Sequence, residues 1–308
     1  MNIKFPHISP AELLERLKYP EGKIKMVLDT DTYNEIDDQY AVVYTMLSKE
    51  KFDVQAIYAA PFFNSRSTGA GDGMQKSYDE IIKLFSKLGF DTEDFVFKGS
   101  DRFLGSTKTP VDSPAVQHLL KLVDSLPDGE LLYVVAIGAI TNIASAILIN
   151  PEIIKKIVVV WLGGQPFNWE DVEEFNLSGD LLASQVIFDC DVPFIMMPCD
   201  GVSSHLTTTV AEVEKFIKNT GVVGDYLYEI LKEATNDGVG KSRVIWDLAP
   251  LAWLINPEFM RTEVVHRPIL TNEKTYSTNN HRNFMRVAYY TWRDGIFHDL
   301  FTKIKNQK

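Results

Sequence analysis

Short runs of β-branched and aliphatic residues alternate along this chain with longer stretches whose apolar positions recur every three or four residues. The runs IKMVLD (24–29), VQAIYAA (54–60), FVFKG (95–99), LLYVVAIG (131–138), KIVVVWLGG (156–164) and VPFIMMPCD (192–200) read as strands. Between them MQKSYDEIIKLFSKLG, SPAVQHLLKLVDSL, ITNIASAILIN, DLLASQVIFD and TVAEVEKFIKN read as helices. Ser113 before Pro114 is a helix start signal, and Gly89 after Leu88 a stop signal. Strand and helix in alternation predict an α/β fold, an open and mostly parallel central sheet with helices on both faces. With no linker-like stretch and no internal repeat, a single domain over 1–308 is expected, with 1–22 as an N-terminal extension.

One window tests that picture. LLYVVAIGAITNIASAILI (131–149) carries no charge over a membrane-spanning length, but Gly138, Thr141, Asn142 and Ser145 interrupt it. A buried strand, a tight turn and a buried helix account for it better. The N-terminus lacks the apolar core of a signal peptide, and the two cysteines, Cys190 and Cys199, have no metal-ligand or CxxC spacing. A soluble, cytoplasmic protein is expected. The formal charge of −11 argues against a nucleic acid polymer as partner and suits a metal ion or an uncharged ligand held through one.

In an open α/β sheet the ligand lies beyond the carboxyl ends of the strands. Acids and amides collect at those ends here. Asp29, Asp31, Asp37 and Asp38 follow the first strand, Asn64 and Arg66 the second, and Thr141 and Asn142 the fourth. Asn168, Glu174 and Asn176 follow the fifth, and the sixth ends in Asp200. Oxygen donors of this kind suit a hard cation and a polyhydroxylated ligand. Four aspartates this close repel one another unless a positive charge sits among them. An EF-hand loop does not fit, because counting from Asp29 the sixth position is Asn34 and the twelfth Tyr40, where that loop needs Gly and Glu. VLDTDTY also mimics the DxDxT strand of haloacid-dehalogenase-like phosphatases, but GDGMQKSYD (71–79) comes too early to serve as their later acidic motif.

LDTDTYNEIDDQYAV resembles the DxDxxxDD signature of the nucleoside hydrolases of the inosine–uridine type. AIGAITNIASAI is similar to that family's GPLTNIA segment, VVVWLGG to its strand ending in MGG, and NWEDVEEFN to its N…EFN segment. IWDLAPLAWLINPE is similar to its HDPLAVAY-like helix start, and the blocks run in family order over roughly residues 24–260. The resemblance implies a Rossmann-like nucleoside hydrolase fold and a tightly held Ca²⁺. Asp31, Asp38, Asp247 and the backbone carbonyl of Thr141 would be its ligands. It further implies that Asp31 is the general base on a water held by the cation. Asp37, Asn64, Asn168, Glu174 and Asn176 would bind the ribose hydroxyls.

Trp246 stands where many members have the histidine of His-Asp, as in the purine-preferring branch, and its indole would stack on the base. The implied activity is hydrolysis of the N-glycosidic bond of ribonucleosides, purines favoured, in nucleoside salvage. The partner would be a small ribonucleoside, without a membrane, in a homodimer or homotetramer. A non-catalytic ribose or nucleoside binding protein on the same fold is the alternative from another class, and the phosphatase is the third. Two departures stand out. The spacer TYNEI between Asp31 and Asp37 is two residues longer than the family's, so Tyr33, Asn34 or Glu35 is expected to project into the pocket. The family's HG-x-x-GL block is missing after KGSDRFLG. Arg66, His205, Lys241, Arg243, His281 and Arg282 are the groups available to replace the lost acid, and TNDGVGKSRV (235–244) reads as a mobile lid.

Overall fold

The computed structural model describes residues 4–307 apart from 237 and 239. Its strands are β1 (Ile24–Thr30), β2 (Phe52–Ala59), β3 (Val96–Lys98), β4 (Leu132–Ala136), β5 (Ile157–Leu162), β6 (Phe194–Met197), β7 (Thr207–Thr208), β8 (Arg243–Val244), β9 (Met260–His266), β10 (Ile269–Leu270), β11 (Tyr276–Ser277) and β12 (Phe284–Thr291). The helices are α1 (Pro10–Arg16), α2 (Asp37–Leu47), α3 (Ala70–Leu88), α4 (Pro114–Asp124), α5 (Thr141–Ile149), α6 (Phe175–Gly179), α7 (Leu181–Asp189), α8 (Val210–Phe216), α9 (Val222–Thr235), α10 (Leu248–Ile255) and α11 (Arg293–Lys305).

All six expected strands form, and they occupy one sheet of order β3-β2-β1-β4-β5-β6-β12-β9. Every pairing in it is parallel except that of β12 with β9 at the edge. β4 and β5 are buried along their whole length, as continuous apolar runs in a doubly covered parallel sheet must be. The helices pack in two groups, one around α2, α3, α9, α10 and α11, the other around α4, α5 and α7. α2 is buried nearly all round because α3, α10 and α11 close over it.

Local signals act where the sequence places them. Ser113 caps α4 by accepting from the Val116 N–H, and Gly89 ends α3 in a left-handed conformation at φ 72°. The uncharged window folds as β4, a turn and α5, and no described helix is long and apolar enough to cross a membrane. Residues ahead of β1 pack onto the main core: Leu13 and Leu17 are buried, and the Asn283 amide donates to the Ile8 carbonyl at 2.9 Å.

The chain leaves β1 toward β2 and β3, then returns to place β4 on the opposite side of β1. That reversal opens a crevice beyond the carboxyl ends of β1 and β4, which is where an open α/β sheet binds its ligand.

Candidate active site

A cavity of about 290 Å³ lies over this switch point. β1 delivers Asp31, the first turn of α2 delivers Asp37 and Asp38, and the residue ahead of α10 is Asp247. All four are buried and line the cavity. One carboxylate oxygen from each of Asp37, Asp38 and Asp247 falls within 4.8 Å of the others, close enough to share one ion. Asp38 also accepts from the Thr30 hydroxyl at 2.5 Å, and Asp37 from the Trp246 N–H at 3.1 Å.

Among the described residues no N–H or hydroxyl donor reaches either carboxylate oxygen of Asp31, though both are buried; its side-chain neighbour is the carboxyl of Asp38. Behind it Gly138 follows β4, and a Cβ there would lie 3.0 Å from the Asp31 Cγ and 3.2 Å from the Ala60 Cβ, so a side chain would have to push the Asp31 carboxylate by a few tenths of an ångström. Asp29 points away from the cavity and accepts from the Asn142 amide at 2.7 Å, tying β1 to the start of α5.

Electrostatics state the same problem as the sequence. Burial holds Asp31 and Asp247 well above the ordinary carboxylate range, and the neighbouring aspartates push them further. Burial, then Glu35 and Asp38, bring Asp37 to about 8, and burial brings Asp38 to about 6. Carboxylates so placed cannot all ionise together without a cation. An Asp31 that no N–H or hydroxyl reaches and an all-oxygen ligand set fit a hard divalent ion.

Glu174 and Asn176 enter from the loop after β5 and line the cavity. Glu174 caps α6, accepting from the backbone N–H groups of Gly164, Asn176 and Leu177 at 2.8–2.9 Å. Gly164 must be glycine there, since its φ is +72° and a Cβ would meet the Tyr276 hydroxyl at 2.5 Å. The Asn176 amide donates to the carbonyls of Leu162 and Ile137 at 3.0 and 3.2 Å, which leaves its oxygen free to accept.

Three expected site residues lie elsewhere. Thr141 opens α5 and donates its hydroxyl to Asp180 at 2.8 Å; Ile137, at the end of β4, is the residue of that segment on the cavity wall. Thr141 is off the wall because the turn Gly138–Ile140 carries it into the first turn of the helix. Asn168 is exposed on the loop after β5, and Gln165 lines the cavity in its stead. Asn64 donates to the Asn34 side chain at 2.6 Å, so it reaches the cavity only through a residue of the long spacer.

That spacer projects as expected, with Asn34 and Glu35 on the cavity wall. Tyr33 turns instead into a neighbouring cavity, with the Arg66 guanidinium 4.3 Å over its ring. Glu35 pairs with Arg243 of β8, which ties the spacer to the segment leading to Trp246. Asp237 and Val239 of the expected lid lie outside the described residues, while Arg243–Val244 form a short ribbon with Thr207–Thr208. Sequence reasoning did not single out Gln165, Phe175 and Cys199 as pocket residues. Gln165 and Cys199 follow β5 and β6, so the rule that put Asp31 in the site also pointed at them.

Residues 26–291 match the family described as inosine-uridine preferring nucleoside hydrolase. The pyrimidine-specific ribonucleoside hydrolase RihB of Escherichia coli O1:K1 / APEC is 27% identical over 166 residues, covering 50% of this chain and 52% of that protein. The chain thus spans about half the length of the curated relatives it matches. A plant nucleoside hydrolase, PpNRh1, superposes with a TM-score of 0.72 at 19% identity, covering 92% of this chain and 99% of that one. A purine-preferring ribonucleoside hydrolase from Gardnerella vaginalis superposes with a TM-score of 0.70 at 20% identity, covering 92% and 98%. At such identities the likeness concerns the fold.

Proposed function

Because this chain belongs to the inosine-uridine preferring nucleoside hydrolase family, we propose that it hydrolyses the N-glycosidic bond of ribonucleosides, purines favoured, to free base and ribose. The observation that carries the reading is the convergence of Asp31, Asp37, Asp38 and Asp247 in one cavity, with no N–H or hydroxyl donor among the described residues reaching the Asp31 oxygens.

Asp38 and Asp247, with Asp31, would hold a Ca²⁺ ion, Asp37 lying within reach of the same ion, and Ile137 rather than Thr141 is the residue of its segment on the cavity wall. The bound cation would lower the pKa of water and grip ribose hydroxyls. Asp31 takes the proton of the attacking water, for which oxygens that no N–H or hydroxyl reaches suit it. Asp37 accepts a ribose hydroxyl beside it. The Asn176 oxygen accepts another, its orientation locked by the amide's two bonds to backbone carbonyls. As the bond to the base breaks, the surrounding carboxylates stabilise the cationic sugar. Trp246 presents an indole on the wall beside Asp247, and a bicyclic purine overlaps such a face more fully than a pyrimidine. The named relatives include a pyrimidine-specific enzyme and a purine-preferring one, so base preference rests on that indole.

Release of reducing sugar from inosine, adenosine, guanosine and uridine, with and without chelator, tests the reading. Turnover of purines that chelator abolishes supports it. Saturable binding of nucleosides without turnover makes the chain a binding protein, and turnover of uridine alone removes the purine preference.

A further inference from the structure

A base leaving a neutral nucleoside carries away the electron pair of the broken bond, so an active site gains rate by placing a donor against that base. Among the described residues the cavity wall carries no His, Lys, Arg or Tyr. The basic groups singled out from the sequence are engaged or exposed elsewhere. Arg243 pairs with Glu35, Arg66 covers Tyr33, and His205 packs against Tyr290 at 5.8 Å. Arg282 donates to the Pro268 carbonyl at 3.0 Å, while Lys241 and His281 face solvent. Cys199 is on the wall, but burial and Glu174 hold its thiol proton firmly.

The donor that the wall does offer is an amide, and hydrogen bonds fix which way it faces. The backbone N–H of Arg66 can only donate, and it meets Asn64 Oδ1 at 2.8 Å. Asn64 therefore turns its Nδ2 the other way, where it donates to Asn34 Oδ1 at 2.6 Å. The Asn34 backbone N–H donates to the Asp31 carbonyl at 2.7 Å, which holds the residue close to the end of β1. Asn34 Nδ2 is thus left on the cavity wall, with no acceptor among the described residues. The other side-chain amides of the wall are engaged: Gln165 donates to Asp200 at 2.9 Å, and Asn176 to two backbone carbonyls. The Trp246 indole N–H lies in the plane of its ring, so an indole stacked on the base cannot aim it at that base. The carboxylates and the Asn176 oxygen suit ribose hydroxyls, which have hydrogens to give. A free donor suits an acceptor that has none, and the base supplies these in its ring nitrogens.

Resting on the reading of this cavity as an N-ribosyl hydrolase site, we propose that Asn34 donates a hydrogen bond to a ring acceptor of the leaving base, in place of a titrating acid. Asn34 lies in the spacer that exceeds the family's by two residues, so the extra length brings the donor in. In the step, the water oxygen bonds to the anomeric carbon as the carbon–nitrogen bond breaks, and the electron pair stays on the base. The amide N–H binds the base more strongly as negative charge gathers there, but keeps its proton. The base takes its proton from solvent after departure, and the proton lost by water passes to Asp31. Asn64 acts through Asn34 as a positioning residue.

The test measures kcat and KM of the full chain with Ca²⁺ on inosine and on 4-nitrophenyl riboside. The nitrophenolate leaves unaided and has no ring nitrogen to accept a bond. Asn34→Ala should lower kcat on inosine by about 10²-fold, while kcat on the nitrophenyl substrate stays within about twofold. Asn64→Leu frees the Asn34 amide to turn and should cost inosine about tenfold. The two changes together should cost little more than Asn34→Ala alone. Equal losses on both substrates, or none on inosine, overturn the inference and leave the proposed function standing. Native turnover of the nitrophenyl substrate without inosine overturns it as well, since no base is then activated. Turnover of neither substrate overturns both readings.

Discussion

Asp31 is buried with no N–H or hydroxyl donor among the described residues on either oxygen, an arrangement that costs free energy in a resting protein and serves one that must take a proton. Asp31→Asn should therefore lower kcat by about 10²–10⁴-fold while a nucleoside titration followed by tryptophan fluorescence still saturates. Near-normal turnover in that variant removes Asp31 as the base. Gly138→Ala is subtler: the new methyl would press on the Asp31 carboxylate, so kcat should fall with little change in the unfolding midpoint. The raised acids also set a pH signature. Without metal, the folded chain keeps the Asp37 proton up to about 8, whereas the unfolded chain releases it near 3.8. The folded state then binds more protons, so metal-free stability falls as pH rises between those values. Chelator-treated protein should lose Tm across that range, and Ca²⁺ should restore more of it at the alkaline end.

At the scale of elements, the site depends on how loops are tied down. Glu174 accepts from two backbone N–H groups at the start of α6 and from that of Gly164 after β5, and so fixes Asn176 beside the ends of β4 and β5. Glu174→Ala should cost about 1–2 kcal/mol in urea unfolding and raise KM, because the cap and the Asn176 position go together. The spacer Thr32–Ile36 is held differently. Asn64 and Arg66 grip its backbone or side chains from the loop after β2, and Arg243 grips Glu35 from β8. Breaking the Glu35–Arg243 pair from either side should raise KM a few-fold with kcat nearly kept. Arg243→Ala in a Glu35→Ala background should add little, and a full additive loss would show that the two residues act separately.

Over the whole molecule, the fold closes through its C-terminal third. β12 inserts beside β6 and pairs with β9, and Arg267 between them is buried. Its guanidinium donates to the carbonyls of Ile187, Val192 and Phe284 at 2.6–3.2 Å, joining the end of α7 to the sheet. Arg267→Met should destabilise the protein by about 3 kcal/mol in denaturant unfolding, since several buried carbonyls lose their donor. The residue is remote from the cavity, so kcat of the folded fraction should stay as it was.

Continuous apolar runs and period-3.6 patterns made β1 to β6 and the helices α3, α4, α5 and α7 between them legible, because a parallel sheet covered on both sides demands such runs. The DTD and DD pairs, Glu174, Asn176 and the Trp246–Asp247 pair were legible too, since each stands at a strand end or helix start where side chains meet the crevice. β9 and β12 were not, being half-exposed strands whose pairing depends on partners far along the chain. The sequence by itself therefore determined the sheet's core, its rim of oxygen donors and the need for a cation among the aspartates. Only tertiary structure decided which rim residues meet. It put Ile137 rather than Thr141 on the wall, left Asn168 in solvent, and turned Asn34 and Glu35 inward while Tyr33 went the other way. Backbone direction after a strand is set by long-range packing and by ties such as Glu35 to Arg243, which join residues 208 positions apart.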